Sequence, residues 1–162
     1  MTDASFTIRP LAYADLPQVI AIERRAFTSP WSLAMFVLEL SKRTSLCLAA
    51  VDTTDPAGRG DRLLGYLICS RFDTVWHLMN VAVDPDHRRQ GLGWALLHQM
   101  IERAGPEEPY TLEVRESNAP AITLYERLRF RAAGKRPRYY RDNGEDAVIM
   151  WRTVDTVASA AS

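Results

Sequence analysis

The sequence predicts a mixed α/β fold, a central, mostly antiparallel sheet with helices on both faces. Three observations lead to it. Between Leu46 and Val83 three apolar segments follow one another with only turns between them, the pattern of an antiparallel meander. Residues Leu78 to Leu97, LMNVAVDPDHRRQGLGWALL, pass from an apolar run through Asp84-Pro85-Asp86 and a basic glycine loop into helical spacing. Before and after this region strand-like and helix-like stretches alternate, so helices are at hand for both faces of a sheet.

Phe6-Thr7-Ile8-Arg9-Pro10 reads as a short first strand. A helix starts at Ala14-Asp15-Leu16-Pro17, with Asp15 as cap and Pro17 tolerated in the first turn. Val19, Ile20, Ile22 and Phe27 give it one apolar face, and Thr28-Ser29-Pro30 ends it. Ser32 caps a second helix through Leu40. Strands follow at Leu46 to Val51, Leu63 to Phe72 and Trp76 to Val83, with a turn-rich segment from Thr53 to Arg62 after the first. The helix beyond the glycine loop runs to Ala104, where Gly105-Pro106 closes it. Tyr110 to Val114 is a fifth strand, Asn118 caps a helix over Ala119 to Leu128, Phe130 to Ala133 is a short strand and Ala147 to Val154 the last. One domain over residues 1–154 is expected, with 155–162 a disordered tail.

A chain of 162 residues can bury a real core, and 47% apolar with 25% charged residues is an ordinary globular balance. Its formal net charge of zero gives no global attraction to nucleic acid or lipid. No apolar run approaches the roughly 20 residues of a membrane span. The N-terminus lacks the basic and apolar regions of a signal peptide. Cys47 and Cys69 lie on apolar segments without metal or redox spacing, as buried thiols in a reducing compartment do. The expectation is a cytoplasmic protein, monomer or weak dimer, with no metal, no membrane association and no direct nucleic-acid contact.

The glycine loop, Arg88-Arg89-Gln90-Gly91-Leu92-Gly93, opens a helix. The first N–H groups of a helix lack internal partners and carry the positive end of its dipole. Glycines let an anion approach that backbone, and arginines add charge. The ligand expected there is a phosphate or pyrophosphate. A nucleotide loop of the Gly-Lys-Ser/Thr kind is excluded, because neither the lysine nor the hydroxyl is present. A dinucleotide fingerprint needs a third glycine where Leu96 stands.

What remains, R-x-x-G-x-G from Arg88 to Gly93, resembles the acetyl-CoA pyrophosphate loop of the GNAT superfamily of N-acetyltransferases. The resemblance extends to Arg25-Ala26-Phe27 through Pro30-Trp31-Ser32, to Asn80 to Leu97, to Thr111 to Arg115 with Ser117-Asn118-Ala119 and Leu124-Tyr125-Glu126, and to Tyr139-Tyr140 with Glu145-Asp146-Ala147 and Met150. These blocks resemble the RimI-type ribosomal-protein alanine N-acetyltransferases. Two positions depart from the pattern. Arg129 replaces the usual glycine after the last helix, and Trp94 stands where a basic or small residue is common.

The resemblance implies acetyl-CoA as donor, with no metal, and the N-terminal amine of a small-subunit ribosomal protein as acceptor, in particular the N-terminal alanine of protein eighteen. It places the backbone of Val81, Ala82 and Val83 along the donor's thioester arm, and Arg89, Gln90, Gly91, Leu92, Gly93 and Trp94 on the pyrophosphate. Asn118 contacts the donor, although a helix cap alone also accounts for it. Glu113 is the general base. By itself it reads first as a solvent-facing residue of an alternating strand, with a part-buried carboxylate of raised pKa as the alternative. Tyr125 is the general acid, against a core tyrosine on an amphipathic helix. Tyr139 and Tyr140, interleaved with arginines, form a lid over the acceptor channel, and Trp31 with Phe27 an opposite wall or a core anchor. His77, His87 and His98 are scattered and read as surface or core residues. A related enzyme acting on lysine side chains or a small amine stays open, as does a non-catalytic acyl-CoA-binding module.

Overall fold

The computed structural model describes residues 5–54 and 62–160, so most of the expected turn between Thr53 and Arg62 lies outside the described residues. The strands are β1 Phe6–Pro10, β2 Ser45–Asp52, β3 Arg62–Phe72, β4 Val75–Val83, β5 Tyr110–Arg115, β6 Arg131–Arg136 and β7 Ala147–Arg152. The helices are α1 Leu16–Ala26, α2 Leu33–Ser41, α3 Leu92–Ala104, α4 Ala119–Arg127 and α5 Val154–Ala160. Hydrogen-bonded strand order is β1-β2-β3-β4-β5-β7-β6. The pairs β1–β2, β2–β3, β5–β7 and β6–β7 are antiparallel, and β4–β5 is parallel. Contacts group into two compact units: Met1–Ser70 with Met79–Ala104, and Arg71–Leu78 with Gly105–Ser162.

In the first unit the alternation of β2 and β3 divides the core. Ala49, Val51, Tyr66 and Ile68 face Leu16, Val19, Ile22 and Phe36 of α1 and α2. On the other face lie Ala50 and its ladder partner Gly65. A Cβ on Gly65 would stand 2.8 Å from the Ala82 carbonyl oxygen and 3.4 Å from Leu96 of α3, so glycine is what lets β3 and α3 close there. Helices thus cover both faces of this part of the sheet.

Glu23, on α1, is 1% exposed. Its carboxylate accepts hydrogen bonds from the Tyr66 hydroxyl, from Asn80 Nδ2 at 2.9 Å and from the Trp31 backbone N–H at 2.8 Å. One side chain therefore fastens α1 to β3, to β4 and to the loop before α2. Glu23→Ala leaves two buried side-chain donors and one part-buried backbone N–H without this partner, and a loss of stability on the order of 3 kcal/mol is expected in urea unfolding.

The second unit packs Tyr110, Leu112, Val114, Phe130 and Met150 around β5 and β7. Its edge strand β6 is exposed throughout and carries Arg131, Lys135 and Arg136, charges that discourage pairing with another chain. Helix α4 ends in a Schellman motif. The Phe130 N–H bonds the Tyr125 carbonyl at 3.0 Å, and the Arg129 N–H bonds the Glu126 carbonyl at 3.0 Å. The Tyr125 and Phe130 rings meet, with centroids 5.8 Å apart. Arg129 holds the left-handed position of this motif, with φ of 75°. Arg129→Gly relieves that conformation, and a gain of about 1 kcal/mol is expected in thermal or urea unfolding.

Three local expectations change. Asp15 does not cap α1 through its side chain; its carboxylate forms a bidentate pair with Arg9 at 2.8 Å and accepts the Ala12 N–H, closing a short turn before the helix. β6 begins at Arg131 and continues to Arg136, because the Phe130 N–H is taken by the helix terminus and the ladder runs on to Arg136↔Ala147. The tail expected to be disordered from 155 instead forms α5. Thr153 and Thr156 each accept the other's backbone N–H at its first turn, at 3.3 and 2.8 Å, a reciprocal cap that nucleates the helix.

Candidate active site

The first unit presents the glycine loop. The Asp84 N–H bonds the Leu64 carbonyl at 2.7 Å, and its carboxylate accepts the Asp86 N–H at 2.9 Å. Arg25, from the end of α1, grips Asp84 at 3.0 Å and Asp86 at 3.2 Å. The turn that carries the chain from β4 into the loop is thereby pinned from outside. Arg89 and Gly91 are both left-handed, with φ of 65° and 79°. Such alternation turns successive N–H groups toward one point and makes an anion-binding concavity. A Cβ on Gly91 would meet nothing within 4 Å, so its glycine serves the backbone conformation and not packing. Arg88, Arg89, Gln90 and Gly91 are exposed, while Leu92 is buried and anchors α3. Gly93 follows in the first turn, and the exposed Trp94 stacks on His98, one turn on, with centroids 4.7 Å apart.

Val81, Ala82 and Val83 lie at the end of β4. The start of β4 joins β5 in parallel through Trp76↔Tyr110 and His77↔Thr111. Trp31 is half-buried against Phe36, with centroids 5.1 Å apart, and belongs to the core cluster around α1. Phe27, just past α1, is exposed.

The second unit holds the titratable groups. Glu113, in the middle of β5, has a side chain 11% exposed. His77 Nε2 lies 2.6 Å from its Oε2, and Arg136 Nε lies 3.5 Å from its Oε1. The expectation of a raised pKa is corrected. The His77 hydrogen bond, with the charges of His77 and Arg136, outweighs burial and holds Glu113 below the usual carboxylate range. The signal for His77 is the parallel register. Its ladder partner is Thr111, and Glu113 is two residues along the same face. Sequence patterning does not say that β4 and β5 are neighbours, and reading His77 as an isolated histidine misses the pair.

Tyr125 is buried on α4. Burial pushes its phenol well above the usual range, with Tyr140 adding to the effect. Tyr139 and Tyr140 meet edge to face with centroids 5.1 Å apart. Arg115 lies 4.0 Å over the Tyr140 ring, Arg136 lies 5.8 Å from the Tyr139 ring centre, and burial pushes the Tyr140 phenol up to about 12. Arg115 is itself held by Asp142 at 2.8 Å and Glu145 at 3.4 Å. Asn118 caps α4, its Oδ1 accepting the Ala121 N–H at 3.3 Å. The second unit therefore brings Glu113 together with His77 and Arg136, and sets Tyr139 and Tyr140 against the arginines around them.

The chain belongs to the GNAT acetyltransferase family, whose model, described as acetyltransferase (GNAT) family, matches residues 16–130. It is 38% identical over 148 residues to the ribosomal protein bS18-alanine N-acetyltransferase of Escherichia coli K12, across 89% of this chain and 95% of that protein. It is 32% identical over 152 residues to the N-alpha-acetyltransferase RimI of Mycobacterium tuberculosis, across 90% of this chain and 91% of that one. The crystal structure of the E. coli ribosomal-protein-S18-alanine N-acetyltransferase aligns with a TM-score of 0.79 at 38% identity, over 91% of this chain and 92% of that chain. Fold and family are thus those that the glycine loop and its flanking blocks imply.

Proposed function

We propose that the protein transfers the acetyl group of acetyl-CoA to the N-terminal α-amine of a protein, with the N-terminal alanine of ribosomal protein bS18 as the favoured acceptor. The observation that carries this reading is the near-full-length similarity to the bS18 enzyme of E. coli. The loop fits the donor on physical grounds as well. Left-handed Arg89 and Gly91 and the start of α3 offer N–H groups and positive charge to a pyrophosphate. In this reading the backbone of Val81, Ala82 and Val83 holds the thioester arm, and an N–H there receives the developing oxyanion. Tyr139 and Tyr140 bound the acceptor's path.

The lowered pKa of Glu113 bears on when it acts. An α-amine titrates at about 7.7–8.0, and a carboxylate below its usual range is a poor base for that ammonium. Attack on the acetyl carbon changes the balance. The nitrogen becomes positively charged beside an electron-withdrawing carbon, and its proton becomes far more acidic. An ionised Glu113 is competent to take that proton, directly or through a water. Tyr125 then supports the departing thiolate. The amine's own neutral fraction governs the approach.

The test is a mass measurement. Protein, acetyl-CoA and a peptide with a free N-terminal alanine should give a product heavier by one acetyl group, and the same peptide blocked at its N-terminus should give none. Equal transfer to the blocked peptide would move the reaction to lysine side chains. No transfer to either, with thermal stabilisation by acetyl-CoA, would make the protein a binding module.

A further inference from the structure

We propose that His77 is a positioning residue for acyl transfer: its imidazole fixes one oxygen of Glu113, and the two side chains act as one unit that leaves the other oxygen for the acceptor amine. The inference rests on the reading of Glu113 as base. The contact is short, 2.6 Å between Nε2 and Oε2, at the short edge of the roughly 2.7–2.9 Å of charge-assisted N–H···O bonds. It joins neighbouring strands where His77 is the ladder partner of Thr111, so both backbones are fixed beneath it. An ionised carboxylate only accepts, so the hydrogen is on Nε2, and one imidazole tautomer or the imidazolium is selected.

The imidazole is itself oriented, with the Phe72 ring edge-on at 6.1 Å between centroids. The other oxygen, Oε1, has Arg136 at 3.5 Å, beyond a strong hydrogen bond, and that arginine's side chain is 55% exposed. The charged and titratable groups facing Glu113 are thus His77 from β4, Arg136 from β6 and Tyr140 beyond β6. Among them His77 makes the short contact. Oε1, which among the described residues has the 3.5 Å contact of the solvent-reaching Arg136, stays open to an incoming amine or its water.

The experiment compares wild type, His77→Ala, His77→Gln, Glu113→Gln and the double variant, using acetyl-CoA and an alanine-terminated peptide. His77→Ala is expected to lower kcat about ten- to a hundredfold, the scale of a misplaced catalytic group, with KM for acetyl-CoA unchanged. The acid limb of its kcat–pH profile should move to higher pH, because Glu113 loses the donor that holds its pKa down. His77→Gln places an amide N–H where Nε2 stood and should recover most of the rate. In the Glu113→Gln background His77→Ala should cost nothing further, since the unit is already broken. Wild-type kcat and acid limb in His77→Ala, no recovery in His77→Gln, or losses that multiply in the double variant would each overturn the inference. A wild-type rate in Glu113→Gln is a different result. It removes the base reading itself, whereas a slow Glu113→Gln beside an unimpaired His77→Ala removes only His77.

Discussion

Glu113→Gln is expected to lower kcat about 10²- to 10⁴-fold, the usual worth of a positioned general base, with KM for acetyl-CoA unchanged. The substitution is close to isosteric, and its amide oxygen can still accept from His77, so strand pairing and packing are kept. What it loses is the capacity to receive a proton. The pH dependence follows from the direction of the shift. Hydrogen bonding to His77 first, and the charges of His77 and Arg136 after it, depress the Glu113 pKa against burial. The carboxylate is then ionised across the neutral range, and protonates only as pH falls through that depressed value. Between mildly acidic pH and about 9, kcat/KM should therefore rise with one ionisation near that of the free α-amine, about 7.7–8.0. The same limb should survive in Glu113→Gln, because it belongs to the substrate. Steady-state rates across this range, for both proteins, check both points. An acid limb between pH 6 and 7 that vanishes in the variant would mean a raised pKa and contradict the observed hydrogen bonding.

What could be read from the sequence was what local chemistry determines. Ser32 and Asn118 cap α2 and α4 as expected, because a short polar side chain before an apolar periodic stretch has few other uses. The glycine loop was legible because Gly91 sits where positive φ is required, and Arg129 was flagged for the same reason. Asp15 reads as a cap from sequence because a cap and an ion pair use the same carboxylate, and Arg9 six residues earlier claims it. The reciprocal cap at Thr153 and Thr156 was written in the sequence, but a short tail of small residues concealed it. His77 could not be found in this way. Its meaning depends on β4 lying beside β5, and on a register that no single-strand pattern states. The same holds for the tyrosines: Tyr140 adds to the raised titration of Tyr125, and Glu113 to that of Tyr140, only through the way β5, β6, β7 and α4 come together.

Tyr125→Phe is expected to lower kcat on the order of a hundredfold, the scale on which one donor to developing charge acts. Burial raises the phenol's pKa far enough that the hydroxyl remains protonated at every working pH. A thiol titrates near 8.5, well below such a phenol, so complete proton transfer to the leaving thiolate would run uphill. The favoured role is donation of a hydrogen bond as the C–S bond breaks, with water completing the protonation afterwards. Two consequences follow. Tyr125 contributes no alkaline limb, so the profiles of wild type and Tyr125→Phe should be parallel up to pH 10. The fold should also persist, because the ring stays at the α4 terminus against Phe130, where the Tyr125 carbonyl is bound by the Phe130 N–H. Denaturant midpoints matching within experimental scatter, beside a lowered kcat, would separate the hydroxyl's chemistry from the ring's packing. An unchanged kcat would leave Tyr125 as a core residue of the helix terminus, with the thiolate protonated by solvent alone.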